Sequence, residues 1–197
     1  MLTKLKKQVQ EAVASQAEWA NRLGLTPNQI STIGIILAFL SGIAYWQAKA
    51  NPLLFIVAPI LILLSGYCDA LDGALARLHG KTTSFGGFLD SLLDRYADAF
   101  VFSGIILGGL CHTFWGLVAL TGSLLVSYVR ARAEAAGFKM EGVGIAERAE
   151  RLLILAAVSL LSIIWLDALN WAVIILAFLT NLTVLQRAVH FYRASRS

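Results

Sequence analysis

Apolar residues along this chain run in long blocks rather than alternating with polar ones. The blocks cover residues 27–48, 52–79, 84–109, 113–136, 145–165 and 168–191. Each is about 20 residues or longer, enough for a helix to cross a bilayer. The breaks carry turn chemistry: Asn51-Pro52, Gly80 to Ser84, Gly108-Gly109 to Thr113, Gly137 to Gly144, and Asp167. The second and third blocks are long enough to project past the bilayer. Thr26-Pro27-Asn28-Gln29 reads as a helix start, with a capping Thr26, Pro27 in the first turn and Gln29 completing a capping box. Ahead of it the pattern changes. Over residues 2–22, Lys4, Lys6, Lys7 and Glu11 alternate with Leu2, Leu5, Val9, Val13 and Trp19, as in a helix lying on a membrane surface. The predicted fold is an all-α integral membrane protein, with six transmembrane helices plus an N-terminal amphipathic interfacial helix. The expected division is 1–22 for the juxtamembrane helix and 23–197 for one six-span domain.

Composition excludes the soluble alternatives: of 197 residues, 58% are hydrophobic and 14% charged. Two cysteines, Cys68 and Cys111, provide neither a disulfide framework nor a metal set. The charged, amphipathic N-terminus lacks the apolar run of a cleavable signal peptide. The net charge of +4 suits anionic lipid or anionic substrates, with no nucleic-acid partner expected. Lys and Arg crowd the N-terminus, the 77–81 turn, the 130–151 region and the C-terminus, whereas the alternate loops hold only Lys49. The positive-inside rule then puts both termini, and the site described next, on the cytoplasmic side. The expected location is the plasma membrane of a prokaryote. Trp46, Trp115, Trp165 and Trp171 fall near span ends, where aromatic belts sit.

Four aspartates interrupt the apolar blocks: Asp69, Asp72, Asp90 and Asp94. A carboxylate inside a span costs roughly 3 kcal/mol or more, so acids there point to function. Asp69 and Asp72 share one helix face, as do Asp90 and Asp94. A short turn near Gly80 to Thr83 makes the two helices antiparallel neighbours in this reading. Asp69 and Asp94 then lie at one depth, and Asp72 and Asp90 at another. Four unpaired carboxylates repel, and divalent cations would neutralise them. Oxygen-only ligands suit Mg²⁺ or Mn²⁺. Gly73, Ala76, Gly86 and Gly87 leave room for a ligand beside the acids, and Arg77 is placed to meet a phosphate. Two other readings use the same residues. In one, small residues serve helix packing and the acids pair with Arg77 and Arg95. In the other, the chain is a cation-coupled transporter with an acidic relay.

The stretch Asp69-x2-Asp72-Gly73-x2-Ala76-Arg77-x8-Gly86-x3-Asp90-x3-Asp94 matches the signature of the CDP-alcohol phosphotransferase family at every defining position, and the chain resembles that family. The resemblance implies an enzyme that binds a CDP-linked lipid and two divalent cations per site. It would pass the substituted phosphate to an acceptor hydroxyl and release CMP. By this resemblance Asp69, Asp72 and Asp90 hold one cation, and Asp69, Asp90 and Asp94 the other. Asp94 is the general base. Asn28, Thr32, Asp69, Gly73, Ala76 and Arg77 face the nucleotide. A homodimer is implied as well.

The acceptor is read from arginines on the cytoplasmic side: Arg130 and Arg132 in Ser127–Glu134, Arg148 and Arg151 in Ala146–Arg151, and Arg187 on the last span. Arginine forks hold phosphate, so the second substrate is expected to be phosphorylated. These stretches resemble the subgroup making phosphatidylinositol phosphate in actinobacteria or archaetidylinositol phosphate in archaea. The implied substrates are CDP-diacylglycerol or CDP-archaeol and inositol 1-phosphate. Arg130 stands where bacterial members carry lysine, which leaves the archaeal type open. Glycerol 3-phosphate, the acceptor of a phosphatidylglycerophosphate synthase, is the runner-up. Asp98 continues the 90, 94 row and is expected to partner Arg95. His190, near Arg187, is a weaker candidate for the acceptor phosphate.

Overall fold

The computed structural model describes residues 13–140 and 142–196, and those residues form helices and turns with no strand. A short helix α1 covers residues 13–22. It is followed by α2 Pro27–Gln47, α3 Leu54–Leu78, α4 Ser84–Leu107, α5 Thr113–Ala135, α6 Arg148–Leu161 and α7 Ala168–Ala194. The breaks fall where the turn residues lie. Thr26 caps α2, with its hydroxyl accepting from the Gln29 N–H and the Gln29 side chain accepting from the Thr26 N–H. Of the interfacial-helix pattern, Leu2, Lys4, Leu5, Lys6, Lys7, Val9 and Glu11 lie outside the described residues. The remainder, α1, buries Ala17 and Ala20 against Ile30 and Leu75 and leaves Trp19 exposed. Lys81 Nζ donates to Asn21 Oδ1 at 2.7 Å, tying the end of α1 to the turn after α3.

Backbone contact links α2 with α3 and with α4, α4 with α5, α5 with α7, α7 with α6, and α6 with α3. The six long helices therefore close a ring in the order α2, α4, α5, α7, α6, α3. Its interior holds Tyr45, Phe55, Ile62, Phe102, Ile105, Leu155, Leu169 and Leu176. Polar links cross this core. Ser41 Oγ donates to Ala58 O at 2.8 Å, and Tyr45 Oη meets Ser159 Oγ at 2.6 Å. Between lipid-exposed helices such bonds and small-residue contacts take over from the hydrophobic effect. The tightest approach joins α2 to α4. A Cβ on Gly104 would lie 2.0 Å from Gly42 O, and one on Gly42 would lie 2.5 Å from Phe100 O. Only glycines allow the two backbones to touch there.

Among the described residues, four helices, α2, α3, α5 and α7, are long and apolar enough to cross a membrane by length and composition. Helix α4 has comparable length but carries Asp90, Asp94, Arg95 and Asp98. Helix α6 is shorter than the 145–165 block, with 14 residues. The cause lies at its start. Gly144 has φ +115°, a backbone conformation that side-chain-bearing residues rarely adopt. The N–H groups of Ile145 and Ala146 then both reach Thr183 Oγ1 on α7, at 3.3 and 3.1 Å. Glu147 is extended (φ −70°, ψ 173°), so the helix begins only at Arg148, and it ends at Leu161, short of residue 165.

Gly104→Ala is expected to destabilise the fold by about 1–3 kcal/mol, the usual cost of forcing bulk into a packed site. Gly87→Ala, whose new Cβ meets nothing within 4 Å, should keep stability or raise it by up to about 1 kcal/mol. Thermal unfolding of both variants in detergent checks this, and equal midpoints would refute the close α2–α4 contact.

Candidate functional site

Helices α3 and α4 are not packed backbone to backbone as neighbours, as the sequence led one to expect. Helix α2 lies against both and holds them apart. Small residues on α2 (Gly34, Ala38 and Gly42, all buried) let it sit close to its partners. The seam left between α3 and α4 is filled by carboxylates. Oxygens of Asp69, Asp72 and Asp90 all lie within 4.8 Å of one another. Converging hard oxygen donors of this kind fit a divalent cation such as Mg²⁺ or Mn²⁺. The three residues expected to hold one cation are thus brought together. Asp72 is also fixed from α2, where Ser31 Oγ lies 2.5 Å from Asp72 Oδ2.

Asp94 stands one turn further along α4, beside the first residue of α6. Arg148 Nη1 is 2.8 Å from Asp94 Oδ1 and 3.1 Å from Asp69 Oδ2, so one guanidinium bridges the two acid-bearing helices. The acids pair with α6 rather than with Arg77. Arg95 contributes only a 3.9 Å contact to Asp94 and otherwise turns to Ser91 O on its own helix. Asp98 does not partner Arg95. It is buried, with Oδ2 2.6 Å from Arg151 Nη2 and Oδ1 3.6 Å from Arg148 Nε. The reason is helical phase: Asp90, Asp94 and Asp98 form one stripe facing α6, and Arg95 lies about 100° around the helix from Asp94.

A cavity of about 200 Å³ opens beside Asp72 and Asp90, where α2, α3 and α4 meet. Its walls include Asn28, Gly73, Ala76, Arg77 and Gly86, so most of the residues expected to face a nucleotide do share one space. Arg77 curls back over Gly73, where an added Cβ would sit 3.2 Å from Arg77 Nη1. Thr32 is not in this wall; it is exposed, and its hydroxyl donates to Asn28 O within α2 at 2.8 Å. Asp69 is also outside it. It faces the carboxylate seam and a groove of about 220 Å³ lined by Leu63, Gly66, Arg148, Leu152 and Leu153. Sequence reasoning missed Ser31 and Lys81, which line the nucleotide-side cavity. Ser31 was detectable: it lies three residues after Asn28, on the same helical face.

A second cavity, of about 210 Å³, opens beside Asp94. Of the arginines expected at the acceptor, Arg130, Arg148, Arg151 and Arg187 line it, together with Arg95, Ser127 and Glu147. Arg132 does not; it is exposed on the last turn of α5. The four arginines differ in how they are held. Arg130 pairs with Glu134 at 2.9 Å. Arg187 is almost fully buried and donates to Val126 O at 2.7 Å and Val143 O at 2.8 Å, which joins α7 to α5 and to the loop before α6. Arg151 donates to Ala146 O at 3.0 Å as well as to Asp98. His190 lies elsewhere, in a cavity on the outer side of α7 with Gly142 and Arg193. Both cysteines are free, and burial pushes the Cys111 thiol up to about 11.

The arrangement is an acidic cluster flanked by two cavities, one bearing the glycines and Arg77 of the signature and the other lined by arginines. Such a site can hold cations and two phosphate-bearing molecules at once. The family profile for CDP-alcohol phosphatidyltransferases matches residues 24–185. The archaetidylinositol phosphate synthase of Pyrococcus horikoshii is 39% identical over 187 residues, covering 95% of this chain and 94% of that one. The phosphatidylinositol phosphate synthase of Cutibacterium acnes is 35% identical, covering 89% of this chain and 90% of that one. Among solved structures, Mycobacterium tuberculosis phosphatidylinositol phosphate synthase with CDP-DAG bound superposes with a TM-score of 0.80 at 29% identity, covering 91% of this chain and 93% of that one. The same protein has been solved in complex with manganese and citrate, again at a TM-score of 0.80.

Ser31→Ala removes the hydroxyl that orients Asp72 and is expected to weaken Mn²⁺ binding by about tenfold, within the usual range for partners of a ligand. Thr32→Ala, whose hydroxyl bonds only to its own helix, should leave it unchanged. Mn²⁺ titration of the purified variants decides, and equal affinities would remove Ser31 from the site.

Proposed function

The chain belongs to the CDP-alcohol phosphatidyltransferase family, and from that premise we propose that it transfers the phosphatidyl or archaetidyl group of a CDP-linked lipid to inositol 1-phosphate and releases CMP. The observation that carries this reading is the arginine-lined cavity beside Asp94. A family member with an uncharged acceptor has no need for five arginines there. The relatives named above, synthases of inositol-phosphate lipids, support the same acceptor. Family membership makes the chain a transferase and sets the transporter alternative aside.

In this reading Asn28, Gly73, Ala76 and Arg77 receive the CDP moiety of CDP-diacylglycerol or CDP-archaeol, with Thr32 and Asp69 beside them. Ser31 and Lys81 join that wall. Asp69, Asp72 and Asp90 hold one cation, and Asp69, Asp90 and Asp94 the second. When bound, two Mg²⁺ or Mn²⁺ ions offset charge on the pyrophosphate and on the departing CMP oxygen. Arg130, Arg148, Arg151 and Arg187 hold the acceptor's phosphate, and Arg132, exposed on α5, has no place in that cavity. Asp94 lines the acceptor cavity and takes the proton from the attacking hydroxyl. The new bond joins that oxygen to the lipid-bearing phosphorus, and the bond to CMP breaks. The groove of Leu63, Leu152 and Leu153 beside Asp69 offers an apolar surface continuous with the site.

The reading places α2 to α7 as six spans, with α1 as the end of an interfacial helix and residues 23–197 as one domain. The multi-pass character rests on the apolar helices. The short α6 is lengthened by exposed Ile163, Ile164, Trp165 and Leu166 beyond its end. Arg77, Lys81, Arg130 and Arg148 sit at the site end and Lys49 at the other, so the positive-inside rule supports a cytoplasmic site in a prokaryotic plasma membrane. Family resemblance supports a homodimer.

Asp94→Asn is expected to lower kcat for CMP release by about 10²–10⁴-fold, the usual contribution of a positioned base, while CDP-lipid still binds. Retained turnover would overturn the assignment. The acceptor is tested by CMP release with Mg²⁺, either CDP-lipid, and inositol 1-phosphate, glycerol 3-phosphate, serine or free inositol. Turnover with inositol 1-phosphate alone is expected. Turnover with glycerol 3-phosphate instead would make the chain a phosphatidylglycerophosphate synthase.

A further inference from the structure

Asp98 lies outside the signature, yet it is the most deeply buried carboxylate of the α4 stripe that also carries Asp90 and Asp94. A buried, unpaired acid would be costly, and Asp98 is not unpaired: it faces two guanidinium groups on α6. Its Oδ2 is 2.6 Å from Arg151 Nη2, and its Oδ1 is 3.6 Å from Arg148 Nε. Arg148 and Arg151 are three residues apart on the first turn of α6, so their charges crowd each other. The side chain of Arg151 is 2% exposed, and that of Arg148 is 18% exposed. Both line the cavity beside Asp94. Neither Nε has a hydrogen-bond partner although both are buried. The guanidinium planes are therefore aimed by the contacts at their other atoms: Arg151 by the bond from its Nη2 to Asp98, and Arg148 by its Nη1 contacts to Asp69 and Asp94, with Asp98 adding a 3.6 Å charge contact at its Nε.

We propose that Asp98 is a positioning residue for the acceptor: it holds Arg148 and Arg151 in the orientation that receives the acceptor's phosphate. It does this from one turn beyond Asp94, without touching the substrate. This rests on the proposed role of the arginines. The same α4 stripe then orders both halves of the site, with Asp90 and Asp94 toward the cations and Asp98 toward the arginines. Removing its charge leaves Arg151 with only its bond to Ala146 O to hold it toward the cavity, and deprives Arg148 of a counter-charge beside those of Asp69 and Asp94.

The test is steady-state kinetics of CMP release with inositol 1-phosphate as the varied acceptor. Asp98→Asn is expected to raise the acceptor KM at least tenfold, with kcat and the CDP-lipid KM within about threefold of wild type. A purely structural role predicts the reverse pattern, less folded enzyme with unchanged KM values, and would overturn the proposal. Should Asp98→Asn fail to fold, Asp98→Glu decides, since it keeps the charge and moves it by one methylene. A raised acceptor KM supports positioning, and an unchanged one overturns it. Arg151→Gln is run in parallel. If it leaves the acceptor KM unchanged, the arginine reading itself fails. If it raises that KM while the Asp98 variants do not, only the inference about Asp98 fails.

Discussion

Every other feature of this bundle answers to one constraint, the burial of acidic side chains between apolar helices. Asp72 and Asp98 are buried, and Asp69, Asp90 and Asp94 are half-buried. A cluster of that density is tolerable only where opposite charge or donors meet it. The chain supplies both from elsewhere in the ring: a hydroxyl from α2 at Ser31, and guanidinia from α6 at Arg148 and Arg151. This explains why α6 starts late. Its first turn must deliver Arg148 and Arg151 to the acids, and the loop before it is anchored to α7 through Thr183 and Arg187 so that the turn falls there.

Much of this was legible in the sequence because it is carried by spacing. The apolar blocks gave the long helices, and Gly80 and Gly108-Gly109 marked their ends. The three- and four-residue spacings put the aspartates on shared faces. The motif further tied Gly73, Ala76 and Arg77 to one cavity wall. What spacing cannot express is which helices touch. The short turn after α3 suggested that α3 and α4 were neighbours, whereas the wedge between them is α2, from earlier in the chain. The partner of Asp98 was misassigned to Arg95 for the same reason. A neighbour in sequence was preferred to Arg151, 53 residues away.

The arginines show the same limit at finer grain. All five carry the same charge and fall toward one end of the molecule. Only the packing separates Arg132, which is exposed, from Arg187, which is buried and bonded to two backbone carbonyls. Helix α6 is shorter than its apolar block because hydropathy does not register backbone conformation: Gly144 at φ +115° and the extended Glu147 keep the chain out of the helix until Arg148.

The contact between Gly42 and Gly104 lies ten residues beyond Asp94 on α4, about 15 Å along the helix axis. It acts as a hard stop on how near α4 can come to α2, and through α2 it sets the gap between the carboxylates of α3 and those of α4. Divalent ions differ in preferred oxygen distance by a few tenths of an ångström. In the proposed metal-binding reading, the spacing of the carboxylates offered to a cation therefore depends partly on a steric contact in the apolar half of the bundle, remote from every ligand atom.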